Sequence, residues 1–210
     1  VVVGDEVHVS LLKALSLLGL GRERVVRVPV DGQGRMRADA LPSLDERTIL
    51  CVQAGNVNTG AIDPLAELCA KAHQAGAWVH VDGAYGGAGL LSPLVRAQYA
   101  GLELADSFVT DPHKWWFAPF DCAALIFREP KLATAVHTQD ASYLDVLHQP
   151  TADSQFNPTD VAYHLTRRAR GLALWFSLAV YGTEAYADAV SAGIELAHAT
   201  AELIEQLPQI

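Results

Sequence analysis

The sequence predicts an α/β protein built on a mostly parallel β-sheet flanked by helices. Two features predict it. Short β-branched runs alternate with helical stretches of about ten residues, the spacing of βαβ units. The runs are also apolar at nearly every position, as strands covered on both faces must be.

Taken in order, Val1-Val2-Val3-Gly4 reads as a strand already in progress. Ser10 to Leu18 is apolar at helical spacing, and Gly19 and Gly21 supply its stop. Arg24 to Val30 is a short β-branched strand, and Asp31-Gly32-Gln33-Gly34 is a turn. Asp39 is placed to cap a short helix running to about Asp45. Thr48 to Gln53 is a buried strand. Asp63 as N-cap and Pro64 at the first position open a helix that Gly76 ends. Trp78 to Val81 is the next strand, and a helix is expected from about Pro93 to Tyr99. Asp106 to Thr110 and Cys122 to Phe127 are two more strands. From His137 to Thr159 the chain is polar and without period, a long loop of the kind that is usually functional. Two long helical stretches, Asp160 to Tyr181 and Thr183 to about Leu207, are broken at Gly182.

Composition narrows the function. Half of the 210 residues are hydrophobic, enough for a real core and too many for a disordered chain. The 24 acidic against 15 basic side chains, a formal charge of −9, leave no basic stripe for nucleic acid. Cys51, Cys69 and Cys122 are odd in number and widely spaced, so no disulfide framework or zinc site is expected and a reducing cytoplasm is. No apolar run approaches the roughly 20 residues of a membrane span. The start without Met and the end without a stop device suggest a piece of a longer protein.

Chemistry gathers where strands end, because in open parallel sheets ligands bind beyond the carboxyl ends of the strands. Three strand ends carry unusual residues. Asp82, in His80-Val81-Asp82-Gly83-Ala84-Tyr85-Gly86-Gly87, is a carboxylate leaving a buried strand. It reads either as a cap for the next turn or as the partner of a cation. Lys114, in Asp111-Pro112-His113-Lys114-Trp115-Trp116, is an amine beyond another buried strand. It reads either as a snorkelling surface lysine or as a nucleophile activated by its apolar neighbours. His8 stands at a strand-to-helix passage, where a lone His is more often a cap than a catalyst. An amine and a carboxylate from neighbouring strand ends suit pyridoxal 5'-phosphate (PLP), which needs a lysine for its Schiff base and an acid for its ring nitrogen.

At this point the residues resemble a family, the group II PLP-dependent amino-acid decarboxylases. The resemblance rests on HVDGAYGG (80–87), ADSFVTDPHKWW (105–116) and the following PFDC (119–122), with HVSLLKA (8–14), AGNVNTGAIDP (54–64) and SYL (142–144) in the family's order. It implies the large domain of fold type I, the aspartate-aminotransferase-like fold, over residues 1–159 with its N-terminal part missing. Residues 160–210 would be helices leading towards a truncated small domain.

The resemblance also implies roles. Lys114 would carry PLP as a Schiff base, and Asp82 would pair with the ring nitrogen. His8 would stack on one ring face and Ala84 pack on the other. His113 would lie near the phosphate end. Asn56, Asn58 and Thr59 lie in the loop that approaches the ring's hydroxyl side. Tyr143, on a loop that commonly reaches into the partner subunit, would protonate the substrate's Cα. The implied reaction is decarboxylation of an L-amino acid, aromatic by first expectation, in a cytoplasmic homodimer with shared active sites. The alternatives are an aldehyde synthase or carbon–carbon lyase on the same cofactor, or a non-catalytic dimerisation or binding module. Two departures stand out. Asp111 replaces the Asn of some members, which makes a phosphate contact there unfavourable, and Trp116 stands where Leu is usual. The segment that cradles the phosphate in this family lies upstream of His8.

Overall fold

The computed structural model describes residues 1–139 and 157–207. Six strands form one sheet: β1 (Val2–Gly4), β2 (Val26–Val28), β3 (Ile49–Gln53), β4 (Trp78–Asp82), β5 (Ser107–Thr110) and β6 (Ala124–Phe127). Their spatial order is β2-β1-β3-β4-β5-β6. The pairs β1–β2, β1–β3, β3–β4 and β4–β5 are all parallel. The expected mostly parallel sheet is therefore present. Its order runs outward in both directions from β1 and β3, and that reversal opens a crevice between their carboxyl ends.

The central strands form around apolar residues that the fold buries, while the edge strands β2 and β6 stay largely exposed. Val3, Val28, Leu50, Val52, Val79 and Val81 have no solvent exposure. Burial of each such side chain stabilises by about 1.5–3 kcal/mol before chain entropy is counted. Helix α1 (Val9–Leu17) follows β1, and Gly19 leaves it at φ 73°. Helix α2 (Leu65–Gln74) turns Leu65, Leu68, Cys69 and Ala72 onto the sheet at positions i, i+3, i+4 and i+7. On β4 the alternation is strict: Val79 and Val81 are buried, while Trp78, His80 and Asp82 share the other, half-buried face.

Several local expectations are corrected. Asp39 makes no cap hydrogen bond, and only a 3-10 turn, Ala38–Ala40, forms there. Asp63 does not cap α2. Its buried carboxylate instead accepts the N–H groups of Met36 and Gln53, each at 2.7 Å, and so ties two loops to the end of β3. Burial raises its pKa above the ordinary carboxylate range, with the two amide donors opposing. The helix expected from Pro93 is a 3-10 turn, Arg96–Tyr99. The last helix, α4, is Gly171–Glu205, later than the expected start at Asp160, where a 3-10 turn, Pro158–Val161, stands instead. Gly182, at φ 76° and ψ 165°, breaks α4 where expected. Helix α3 (Pro130–His137) lies in the segment after β6.

The described residues form two compact units, Val1–Ile126 with Arg170–Ile210, and Phe127–Ala169. In the first, Val190 and Ile194 of α4 bury with Ala88, and Trp115 and Trp116 pack on that cluster. Among the described residues no helix is long and apolar enough to cross a membrane.

Two strand-end loops touch backbone to backbone. A Cβ at Gly86 would collide with the Ala54 carbonyl and would lie 2.6 Å from Gly55 Cα. Tyr99 donates its hydroxyl proton to the Gly86 carbonyl from the other side. Gly86→Ala is therefore expected to lower unfolding free energy by about 1–3 kcal/mol in a denaturant titration. Asp63→Asn is expected to cost a similar amount, about 1–3 kcal/mol, because one amide N–H would face the new NH2 group. Unchanged midpoints would contradict either assignment.

Candidate active site

Parallel strands place all their carboxyl ends along one edge of the sheet. The parallel registers therefore carry the residues after β1, β3, β4 and β5 to one place. A cavity of about 580 Å³ lies there. His8 enters it after β1, Gln53 and Asn56 at the end of β3, Asp82 and Ala84 at the end of β4, and Asp111 and Lys114 after β5.

Each side chain is held by local structure. His8 is the N-cap of α1: its Nδ1 accepts the Ser10 N–H at 3.3 Å and lies 2.7 Å from Ser10 Oγ. The cap role and the cavity position belong to the same residue. Asp82 Oδ1 accepts the Ala84 N–H at 3.0 Å, which closes the turn that brings the Ala84 methyl alongside. Ala84 O in turn accepts the Asp111 N–H at 3.1 Å, joining this turn to the lysine loop.

The lysine loop is a compact turn. Lys114 N–H donates to Asp111 O at 2.9 Å, and Lys114 Nζ lies 2.9 Å from Asp111 Oδ2. Asp111, the departure noted in the sequence, is thus the counter-ion of the cavity amine. The lysine side chain is 38% exposed, so the two tryptophans do not enclose it. Trp115 stacks on Tyr85 at 5.7 Å between ring centroids, and Trp116 Nε1–H donates to Thr110 Oγ1 at 2.8 Å. Trp116 serves packing, as a substitution for leucine suggested.

His113 does not line the cavity. Its ring stands against the Cys122 peptide, with Nδ1 3.0 Å from Cys122 N and 2.6 Å from its carbonyl oxygen, and Nε2 is 3.9 Å from Asp111 Oδ2. Asn58 and Thr59 also lie outside the lining. Asn58 Nδ2–H donates to Glu6 Oε2 at 2.8 Å, and Thr59 Oγ1–H donates to Asn56 Oδ1 at 3.0 Å. Asn56 reaches the cavity wall, but its side chain is spent on the loop, accepting the Thr59 N–H at 2.8 Å as well. Tyr143 lies outside the described residues.

Sequence reasoning did not single out Gln53, His80 or Tyr85, and it gave Asp111 no lysine partner. Gln53 sits opposite Asp82 in the β3–β4 register. A polar residue ending an apolar strand was the available signal for it. Burial pulls the His80 imidazole below the ordinary histidine range, while the nearby Asp82 charge opposes that shift.

A family model for the pyridoxal-dependent decarboxylase conserved domain matches residues 1–209. The chain belongs to the pyridoxal-dependent decarboxylase family. It is 32% identical over 201 residues to an aromatic-L-amino-acid decarboxylase of Bacillus atrophaeus, covering 92% of this chain and 42% of that protein. It is 30% identical over 213 residues to an L-2,4-diaminobutyrate decarboxylase of Acinetobacter baumannii, covering 98% and 41%. The crystal structure of mouse CSAD superposes with a TM-score of 0.88 at 28% identity, covering 99% of this chain and 44% of that one. The chain thus spans well under half the length of the relatives it matches. The fold is that of the fold type I large domain.

PLP is the cofactor of this family, and the residues present fit it. Among its lining residues the cavity offers the Lys114 amine, the Asp82 and Asp111 carboxylates, the His8 and His80 imidazoles and the Ala84 methyl group. Its volume lies within the usual range of about 300–1,000 Å³ for small-molecule sites. Gly55, just past the end of β3, is the glycine in that lining, and its lack of a side chain keeps the wall there at backbone depth.

The three cysteines are buried and none forms a disulfide. Burial pushes the Cys51 thiol up to about 12 and raises Cys122 in the same direction. A thiol reagent at about pH 8 is therefore expected to label none of them rapidly in the native protein and all three after unfolding. Fast native labelling of Cys51 would contradict the placement of that strand.

Proposed function

We propose that this chain forms the lysine-bearing part of a PLP-dependent decarboxylase acting on an L-amino acid, with aromatic amino acids preferred. The observation that carries the reading is the meeting of Lys114 and Asp82 in one cavity with His8 and Ala84. The match to an aromatic-L-amino-acid decarboxylase supports the substrate class.

In this reading Lys114 Nζ would be the amine that holds the cofactor, and Lys114 would give that place to the substrate's amino group. Bound PLP supplies an electron sink for the pair left at Cα when the carboxylate departs as CO2. Asp82 would favour the protonated form of the ring nitrogen by its negative charge. His8 and Ala84 would bound the ring and so help orient the bond to be broken. Asp111, the ion-pair partner of the free Lys114 ammonium, must give up that partner on loading. The Tyr143 hydroxyl is the proton donor to Cα, a role that rests on resemblance alone. His113 acts through the Cys122 loop that seats the lysine turn.

We also take the working form to be a cytoplasmic homodimer. Val9 and Leu17 on α1, Leu18 just after it, and Trp175, Val180 and Tyr181 on α4 are largely exposed apolar side chains that a partner surface would cover. Light scattering on the full-length protein is expected to give twice the chain mass.

Purified full-length protein is expected to be yellow, and borohydride is expected to fix the cofactor on Lys114, as peptide mass mapping would read. Lys114→Ala abolishes that adduct. Asp82→Asn is expected to lower turnover by about 100-fold or more, as loss of an aimed charge does, while the Lys114 adduct still forms. Release of CO2 with an amine product supports the decarboxylase reading. Ammonia and peroxide in place of the amine would mark an aldehyde synthase instead. A colourless protein in excess PLP would overturn the assignment.

A further inference from the structure

His80 has no part in the reaction described above, yet it lines the same cavity and is held by a chain of hydrogen bonds. Trp78, His80 and Asp82 follow one another on one face of β4. In the β4–β5 register His80 sits opposite Ser107, and Asp82 opposite Val109. Trp78 Nε1–H donates to Ser107 Oγ at 3.0 Å. Ser107 Oγ lies 2.8 Å from His80 Nδ1.

The chain has a direction. An indole nitrogen can only donate, so Ser107 Oγ must accept from Trp78. Ser107 is buried, and among the described residues the only acceptor bonded to its own proton is His80 Nδ1. A buried hydroxyl proton without an acceptor would be costly. Nδ1 is therefore the acceptor, and the ring proton sits on Nε2. That N–H is the remaining polar edge of a side chain that lines the cavity beside Asp82.

We propose that His80 is a positioning residue for Asp82, locked by Trp78 and Ser107 in the tautomer whose Nε2–H faces the cavity. The proposal rests on the PLP reading for the role of Asp82. The lock matters because Asp82 must keep its charge for a ring nitrogen. A fixed N–H dipole steadies a carboxylate without neutralising it, whereas an imidazolium would compete as a second cation. The groups around the ring are consistent with that. Asp82 is on its own strand, and Cys51, opposite it on β3, has a thiol held uncharged by burial. His8, Tyr85, Asp111 and Lys114 stand round the cavity, where Asp111 already engages Lys114. Burial disfavours protonation of His80, and the Asp82 charge works against that.

The test is histidine-ring NMR on isotope-labelled full-length protein, with His80 assigned by the signal lost in His80→Gln. The wild type is expected to show a bare Nδ1 and a protonated Nε2, unchanged as the pH falls through about 6.5, the ordinary histidine midpoint. Ser107→Ala is expected to mix the tautomers and move the His80 midpoint upward, while Ser107→Thr, which keeps the hydroxyl, holds the wild-type pattern. Asp82→Asn is expected to move the midpoint further down in cofactor-free protein. In PLP-loaded protein the cofactor's absorption should be pH-independent over this range in the wild type and pH-dependent in Ser107→Ala. A wild-type His80 that carries its proton on Nδ1, or titrates like an exposed histidine, overturns the proposal. So does an Asp82→Asn variant with an unmoved His80 midpoint. Failure to retain PLP or to form the Lys114 adduct would instead strike the decarboxylase reading, and the ring measurements do not depend on it.

Discussion

The structure depends on one constraint: neighbouring strands run parallel and in fixed register. Parallel pairing of β1, β3, β4 and β5 delivers every strand end to the same edge of the sheet. An antiparallel sheet would send alternate ends to opposite edges and scatter the same residues. Parallel pairing also demands crossovers, and their packing against the sheet explains the buried apolar residues of the central strands. The crevice between β1 and β3, where the spatial order reverses, then needs no further device to become a cavity.

Within that edge, backbone contacts set the finer spacing. The Gly55–Gly86 approach brings the Asn56 loop and the Asp82 turn as close as two chains can come. The Ala84 O to Asp111 N–H bond links the Asp82 turn to the lysine turn. The buried Asp63 carboxylate, holding Met36 and Gln53 by their amides, anchors the end of β3 from behind. These links join loops that are distant in sequence, and two of the three use main chain alone, so the amine and the carboxylate are placed largely by backbone contacts.

Charge is distributed sparingly in the cavity. Two carboxylates, Asp82 and Asp111, face one ammonium, Lys114, and burial disfavours a charge on His80. Asp111 takes the lysine while it is free. Asp82 accepts the Ala84 turn N–H and, among the described residues, makes no ion pair, so its charge is left for another partner. In a partly dry site an acid so placed has a strong preference for a cationic partner. That preference is the electrostatic basis of the cofactor assignment.

The sequence alone determined the alternation of strands and helices, the strand ends carrying Asp82 and Lys114, and the family those motifs resemble. These are legible because burial on both faces leaves an apolar run, and because a polar residue at its end interrupts that run. The stop of α1 at Gly19 and the break at Gly182 were legible for a similar local reason, since a positive φ favours glycine. Only the tertiary structure decided the rest. It turned Asp63 from a helix cap into a buried clasp between loops, and it put Asp111 on Lys114. It drew Gln53, His80 and Tyr85 into the cavity and left His113, Asn58 and Thr59 outside its lining. The reason is physical: a capping or charged side chain can be satisfied by several partners, and which one it meets depends on residues tens of positions away that strand pairing alone brings near.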